Sequence, residues 1–348
     1  MRSQRMAAVF VDPRLNQPQA GKNNHGVVIE EIEGLIRVYK DGHVERLPAI
    51  PNVPCNEALE ARVTARDVFI DKYSNLWARV YLPSSPAGKL PFLVYFHGGG
   101  FCIGSAAWSC YHEFLSNLAA KAGCVVLSVN YRLAPEHRLP AAYDDGVNTL
   151  MWVKQQALKG YSSEQKWWIN QCNFSSLFIA GDSAGANTAY NVTTRLGSDG
   201  AFDSKPLSLR GNILIQPFFG GETRTASEKH MIQPANSALK LSAADTYWRL
   251  SLPLEANRDH PWCNPLAHGA AKSQELKLLP SVMVCISEMD ILKDRNVEFC
   301  KAVAGIGKKV ETVMYKGVGH AFQILHNSQL SQIRIQEMMA HLKAFINQ

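Results

Sequence analysis

Ser183 stands between two glycines in Gly181-Asp182-Ser183-Ala184-Gly185, after the apolar run 177–180 and before 184–196, which has the composition and length of a helix. A serine at a strand–turn–helix junction has the form of a nucleophile elbow, in which the glycines allow a sharp turn and the hydroxyl is left exposed. The five-residue pattern is weak by itself. Acyl transfer from serine also needs a base, a group that orients the base, and donors for the oxyanion. In this arrangement a carboxylate and then a histidine are expected downstream. The apolar run 282–286 leads into Ser287-Glu288-Met289-Asp290, and 310–315 leads towards Gly317-Val318-Gly319-His320-Ala321-Phe322. Asp290 and His320 therefore follow two strand ends on the sheet edge that carries Ser183. Taken singly, Asp290 also reads as a helix cap and His320 as a turn residue, while Glu288 and Asp294 offer alternative carboxylates. Order and placement together favour Ser183, His320 and Asp290 as a catalytic triad. Of the eleven histidines, only His97 and His320 directly end an expected core strand.

His97 opens the stretch His97-Gly98-Gly99-Gly100-Phe101, after the apolar run 90–96. Glycines bring bare N–H groups close to a ligand without a Cβ in the way. The alternatives are a flexible loop or a phosphate cradle, but no G-x-x-x-x-G-K-[ST] is present and Gly305-Ile306-Gly307 lacks a dinucleotide-binding context. The stretch is expected to form an oxyanion hole from the N–H groups of Gly99, Gly100 and Ala184, with His97 and Gly98 completing the loop motif. His97 is expected to hold the loop and not to serve as a second base. The substrate pocket is expected to draw on Phe101, Cys102, Trp108, Asp182, Trp248 and Ala321, with Met289 a further candidate. For Cys102, Trp108, Trp248 and Met289, core packing is the competing role.

The elements that position these residues follow from apolar patterning. Alternating runs at 62–70 and 76–82 read as an outer antiparallel pair. The nearly all-apolar run 90–96 reads as an interior strand. Strands at 124–130, 211–216, 281–286 and 310–315 then alternate with helices at 111–122, 142–158, 293–305 and 328–346. That rhythm predicts an α/β protein with a mostly parallel, doubly wound sheet. Residues 1–24 read as a mobile tail, and 25–348 as a single domain. Apolar spacing near 3.6 in 27–39 predicts a helix within an N-terminal segment, 25–60, that either packs as scaffold or covers a pocket mouth. The stretch 218–279 has no clear strand and one expected helix at 242–251; lying just after a parallel strand, it is favoured as a cap over the site.

Composition excludes several other functions. Apolar residues make up 46% and charged residues 19%, ordinary for a soluble globular chain, and the net charge of +6 is spread without a basic block, which argues against nucleic acid as a partner. The eight cysteines (55, 102, 110, 124, 172, 263, 285 and 300) never form C-x-x-C, so neither a zinc site nor a disulfide framework is expected. The run 6–11 is too short for a signal-peptide core, and no run approaches a membrane span. The expected location is cytoplasmic, with the nucleus as a second compartment. The glycosylation-like triplets at Asn173 and Asn191 carry little weight, since Asn191 falls in an expected buried helix.

The set His97-Gly-Gly-Gly100, Tyr131-Arg132-Leu133-Ala134-Pro135-Glu136-His137, Gly181-Asp-Ser-Ala-Gly185, Asp290 and Gly319-His320-Ala321-Phe322 resembles the plant carboxylesterases of the hormone-sensitive-lipase type. The resemblance runs from about residue 32 to the C-terminus. It implies an α/β-hydrolase fold with an N-terminal helical cap, no cofactor, and hydrolysis of small-molecule carboxylic esters by the Ser183–His320–Asp290 triad. It also implies that Arg132 and Glu136 brace loops near the site. Gibberellin receptors are similar but lack the catalytic histidine, which this chain keeps as His320, so a hormone receptor is the lesser reading. A third keeps the triad and couples ester removal to rearrangement or cyclisation, as in alkaloid-pathway relatives. Ala186 replaces a glycine common in the family, and its methyl is expected to narrow the pocket.

Overall fold

Strands whose residues are apolar on both faces take the middle of the sheet here, and alternating strands take one edge. The computed structural model describes residues 25–348 apart from 59–60, 85–87, 159–163, 199, 201–204, 234–236, 268–269 and 326. The expected tail, 1–24, lies outside the described residues. In chain order the elements are β1 (Val28–Ile32), β2 (Ile36–Tyr39), β3 (Val44–Arg46), β4 (Val63–Asp71), β5 (Leu76–Pro83), β6 (Leu90–Phe96), α1 (Ser109–Ala122), β7 (Val125–Asn130), α2 (Ala141–Leu158), α3 (Lys166–Ile169), β8 (Cys172–Asp182), α4 (Ala184–Ser198), β9 (Leu209–Ile215), α5 (Ala226–His230), α6 (Leu241–Ser251), α7 (Ala270–Lys277), β10 (Ser281–Ser287), α8 (Lys293–Gly305), β11 (Val310–Tyr315), α9 (Phe322–Leu325) and α10 (Gln329–Ile346).

The main sheet has eight strands in the order β11-β10-β9-β8-β6-β7-β5-β4. The run from β11 to β7 is parallel, and β5 and β4 add antiparallel at one edge. Side chains alternate across a strand, and β6 shows where they go. Phe92, Val94 and Phe96 join a core layer with Tyr143 of α2, Val192 of α4 and Phe299 of α8. Leu93 and Tyr95 join the opposite layer with Phe114 of α1 and Leu342 of α10. Both faces are covered, which is why the strand carries no polar alternation.

The segment expected to be helical at 27–39 is instead a pair of strands. β1, β2 and β3 form a separate three-stranded antiparallel sheet. Glycines at 34 and 42, with φ of 73° and 88°, make the two turns. Around them Val28, Ile29, Ile32, Ile36 and Val38 are β-branched and resist a helix. In β2 the burial alternates at Ile36, Arg37 and Val38, the period of a strand. The N-terminal segment is thus a β-hairpin with a third strand, not a helical cap. All eight cysteines are free thiols, six of them buried. Among the described residues no helix is long and apolar enough to cross a membrane.

Candidate active site

The turn from β8 into α4 places Ser183 in the left-handed region, at φ 52°. Its two glycines are required by space. A Cβ on Gly185 would lie 2.0 Å from the Phe96 carbonyl oxygen, and one on Gly181 would lie 2.3 Å from the Gly185 oxygen. The elbow is therefore pressed against the end of β6, where the glycine loop begins.

Ser183 Oγ lies 2.9 Å from His320 Nε2, and His320 Nδ1 lies 2.6 Å from Asp290 Oδ2. All three are buried. Asp290 Oδ1 accepts from the Leu292 N–H at 3.0 Å, which turns the second oxygen towards the imidazole. The competing carboxylates are engaged elsewhere: Glu288 accepts from the Gly317 N–H and Asp294 from the Ser227 N–H. With Nδ1–H donating to Asp290, Nε2 is left as an acceptor for the serine proton. The arrangement has the geometry of a nucleophile, its base and an orienting acid.

The loop after β6 turns through Gly99 at φ 110° and Gly100 at φ 58°. Cβ atoms there would meet the Ile103 carbonyl and the Tyr247 ring, each at 2.2 Å, so only glycine fits. Both glycines line the same cavity as Ser183 and His320. Neither N–H has an acceptor among the described residues. Ala184 opens α4, and the first amides of a helix have no intrahelical partner. Gly98 differs, since its N–H donates to Tyr111 Oη at 2.7 Å and Asp182 Oδ1 at 3.1 Å. His97 stacks on Tyr131, and its Nδ1 lies 2.8 Å from the Gly98 oxygen. Burial pushes its imidazole down to about 4, so it is neutral and holds the loop.

The cavity has a volume of about 370 Å³. Its walls come from three sources: the N-terminal segment (Glu33, Leu35, Ala49, Ile50), the stretch after β9 (Phe218, Ser237, Ala238, Leu239, Tyr247), and the segments that follow β6 and β11 (Ile103, Trp108, Tyr111, Ile324, Leu325). A larger recess of about 810 Å³ between α1 and α10 contains none of the Ser183, His320 and Asp290 cluster.

Of the expected pocket residues, Trp108, Asp182 and Ala321 line this cavity. Phe101, Cys102 and Trp248 do not. Phe101, at φ 64°, packs on Tyr143, Phe218 and Trp248. Trp248 stacks flat on Phe218, with ring centroids 4.6 Å apart, and so backs a wall residue. Cys102 is fully buried in the core. Met289 is an exposed residue outside the cavity, and Ala186 is packed in the core without narrowing the pocket.

Asp182 lines the cavity but is committed to its neighbours, since Tyr95 and Tyr111 hydroxyls donate to it at 2.8 and 3.0 Å. Burial raises its carboxyl to about 6 against these hydrogen bonds. The pattern reading missed Tyr95, Tyr111 and Gln216. Gln216, at φ 47°, donates to Ser287 Oγ at 2.6 Å and accepts from the Ala321 N–H at 2.7 Å, fixing the residue after His320. A polar side chain directly after the apolar run 213–215 was the available signal. Arg132 forks onto buried Asp145, and Glu136 onto Arg46.

A model of the α/β hydrolase fold matches residues 93–324. The chain is 48% identical to Probable carboxylesterase 6 of Arabidopsis thaliana over 329 residues, 93% of each chain. It is 37% identical to 2-hydroxyisoflavanone dehydratase of Glycyrrhiza echinata, over 85% of this chain and 90% of that one. Among solved structures it is similar to an esterase of Pyrobaculum calidifontis, with a TM-score of 0.68 and 26% identity over 83% of this chain and 87% of the other.

Proposed function

Because the chain belongs to the α/β-hydrolase family and is a carboxylic ester hydrolase within it, we propose that it cleaves small-molecule esters through an acyl-enzyme on Ser183. The observation that carries this reading is the continuous line of contacts, 2.9 Å from Ser183 Oγ to His320 Nε2 and 2.6 Å from His320 Nδ1 to Asp290. Ser183 Oγ attacks the ester carbonyl as Nε2 takes its proton. Asp290 keeps the imidazole in the tautomer that can accept and stabilises the imidazolium that forms. The Gly99, Gly100 and Ala184 N–H groups receive the oxyanion, each donor contributing about 2.7–4 kcal/mol to lowering the barrier. His320 then protonates the leaving alcohol. Water, deprotonated by His320, attacks the acyl carbonyl and releases the acid and Ser183.

The cavity walls support a largely apolar ester without an acidic group, since no lysine or arginine is among its described lining residues while Glu33 and Asp182 are. The N-terminal β-hairpin segment and the stretch after β9 together act as its cap. The hydrogen-bonded Ser183–His320 pair favours turnover over a receptor that only holds its ligand. Incubation with p-nitrophenyl acetate is expected to give p-nitrophenolate and free acetate, and an organophosphate is expected to add its phosphoryl group to Ser183 by peptide mass spectrometry. Ser183→Ala is expected to abolish both, a rate loss of at least about 10³-fold. Full activity in that variant, or an adduct elsewhere, would refute the reading.

A further inference from the structure

Arg46, at the end of β3, binds three separate points of the chain. Its Nε donates to the Cys102 carbonyl at 2.6 Å and its Nη2 to the Ala134 carbonyl at 2.9 Å. Its two terminal nitrogens fork onto Glu136 at 2.7 and 2.6 Å. Only arginine offers this many donors in a fixed plane. The Cys102 carbonyl belongs to the turn that shapes the glycine loop: the N–H groups of Cys102 and Ile103 both donate to the Gly99 oxygen at 3.0 Å. The Phe101 carbonyl on the same turn accepts from the Ala134 N–H at 2.9 Å. On its other side Arg46 pairs with Ile36 of β2, next to the turn that puts Glu33 and Leu35 into the cavity wall. Ala49 and Ile50, just beyond Arg46, belong to that wall too. Arg46 itself stands outside the cavity lining. One guanidinium thus joins the wall that meets the remote part of a bound ester to the loop that meets its oxyanion.

We propose that Arg46 is a positioning residue for the oxyanion loop, coupling contact between the substrate and the N-terminal hairpin to the placement of the Gly99 and Gly100 N–H groups. The inference rests on the acyl-enzyme reading and adds a residue to it. A loop of three glycines has wide conformational freedom, whereas oxyanion donors act only when held near 2.7–3.1 Å from the developing charge. Arg46 adds to that restraint from outside the site, beside Asp182 on the Gly98 N–H and His97 on the Gly98 oxygen. Binding of the remote part of the ester seats the hairpin, and the seated hairpin holds the loop, so binding energy is expressed in turnover.

The competing role is a plain surface brace. Arg46 and Glu136 are both partly exposed, but their fork is bidentate, the geometry in which a surface pair does contribute to stability. A brace would change melting temperature alone. The test compares wild type, Arg46→Gln, Arg46→Lys and Glu136→Gln by thermal melting, by kcat and KM for p-nitrophenyl acetate and p-nitrophenyl benzoate, and by inhibition with a trifluoromethyl ketone, whose adduct with serine carries an oxyanion. Arg46→Gln is expected to lower kcat roughly tenfold with KM nearly constant, and to weaken the ketone by a similar factor. The loss is expected to be larger for the benzoate than for the acetate. Arg46→Lys keeps the charge without the fork and is expected to recover only part of it. Unchanged kcat and ketone affinity in folded Arg46→Gln, or full recovery in Arg46→Lys, would overturn the proposal. Should Arg46→Gln fail to fold, lowered kcat and weakened ketone inhibition in folded Arg46→Lys and Glu136→Gln support the proposal, and wild-type values in both overturn it. Organophosphate labelling of wild type separates the two readings: label at Ser183 with normal Arg46 variants overturns this proposal alone, and no label at Ser183 overturns both.

Discussion

Asp182 and its neighbour Ser183 divide the work of the elbow. Ser183 faces His320, while Asp182 binds the glycine loop through the Gly98 N–H and two tyrosine hydroxyls. Burial holds the Asp182 carboxyl at about 6, above the ordinary 3.8. The folded state therefore binds its proton more tightly than the unfolded chain does. Its contribution to stability is fully present below about 3.8 and is lost as pH rises through about 6. In Asp182→Asn that dependence disappears. Denaturant melts across the window from about pH 4 to about pH 7 are expected to show wild type losing stability relative to the variant as pH rises; a constant difference would refute the assignment. The convergence of Ser183, Asp290 and His320 was legible from sequence because each is a reactive residue type a few residues at most past the end of a strand. Phe101 and Cys102 were misjudged because the direction of a side chain after a left-handed turn is not written in hydrophobic pattern. Tyr95 and Tyr111 were invisible for a related reason, since an aromatic residue in a strand or helix reads as core until its hydroxyl finds a partner.

Among the elements, the N-terminal hairpin departs furthest from its sequence reading. Its apolar residues satisfy a helical spacing by coincidence, while Gly34 and Gly42 and the β-branched content decide for strands. By contrast, β6, β10, β11 and α8 carry single-period runs bounded by turn residues, and their spans were readable to within a residue or so. The hairpin reaches the cavity through Leu35, which sits partly buried in its wall. Leu35→Trp adds an aromatic ring to a cavity of about 370 Å³. KM for a bulky ester such as p-nitrophenyl benzoate is expected to rise roughly tenfold or more, while that for the acetate changes little. Equal effects on both esters, measured by initial rates, would remove the hairpin from the substrate site.

At the scale of the whole molecule, the parallel sheet brings three distant parts of the chain to one edge. The β8, β10 and β11 ends supply Ser183, Asp290 and His320, and the β6 end supplies the glycine loop. This much was legible, because strand–helix alternation implies parallel strands and parallel strands share a carboxyl edge. The closure of the cavity was not, since it depends on how the hairpin and the 218–279 stretch pack over that edge.

Six non-glycine residues among those described have positive φ, and Ser183, Gln216 and Ala321 of these lie at the Ser183–His320–Asp290 cluster or hold it in place. Ordinarily alanine stabilises a backbone more than glycine does, by roughly 0.5–1 kcal/mol in regular structure. At position 183 the order is expected to invert, because a left-handed angle costs an L-residue about 1–2 kcal/mol that glycine escapes. Thermal melting should therefore rank Ser183→Gly above Ser183→Ala, both inactive; the reverse ranking would mean that the elbow is relaxed. Turnover and heat resistance thus pull on a single dihedral in opposite directions. A population of variants screened only for endurance would drift towards glycine there and fall silent as enzymes.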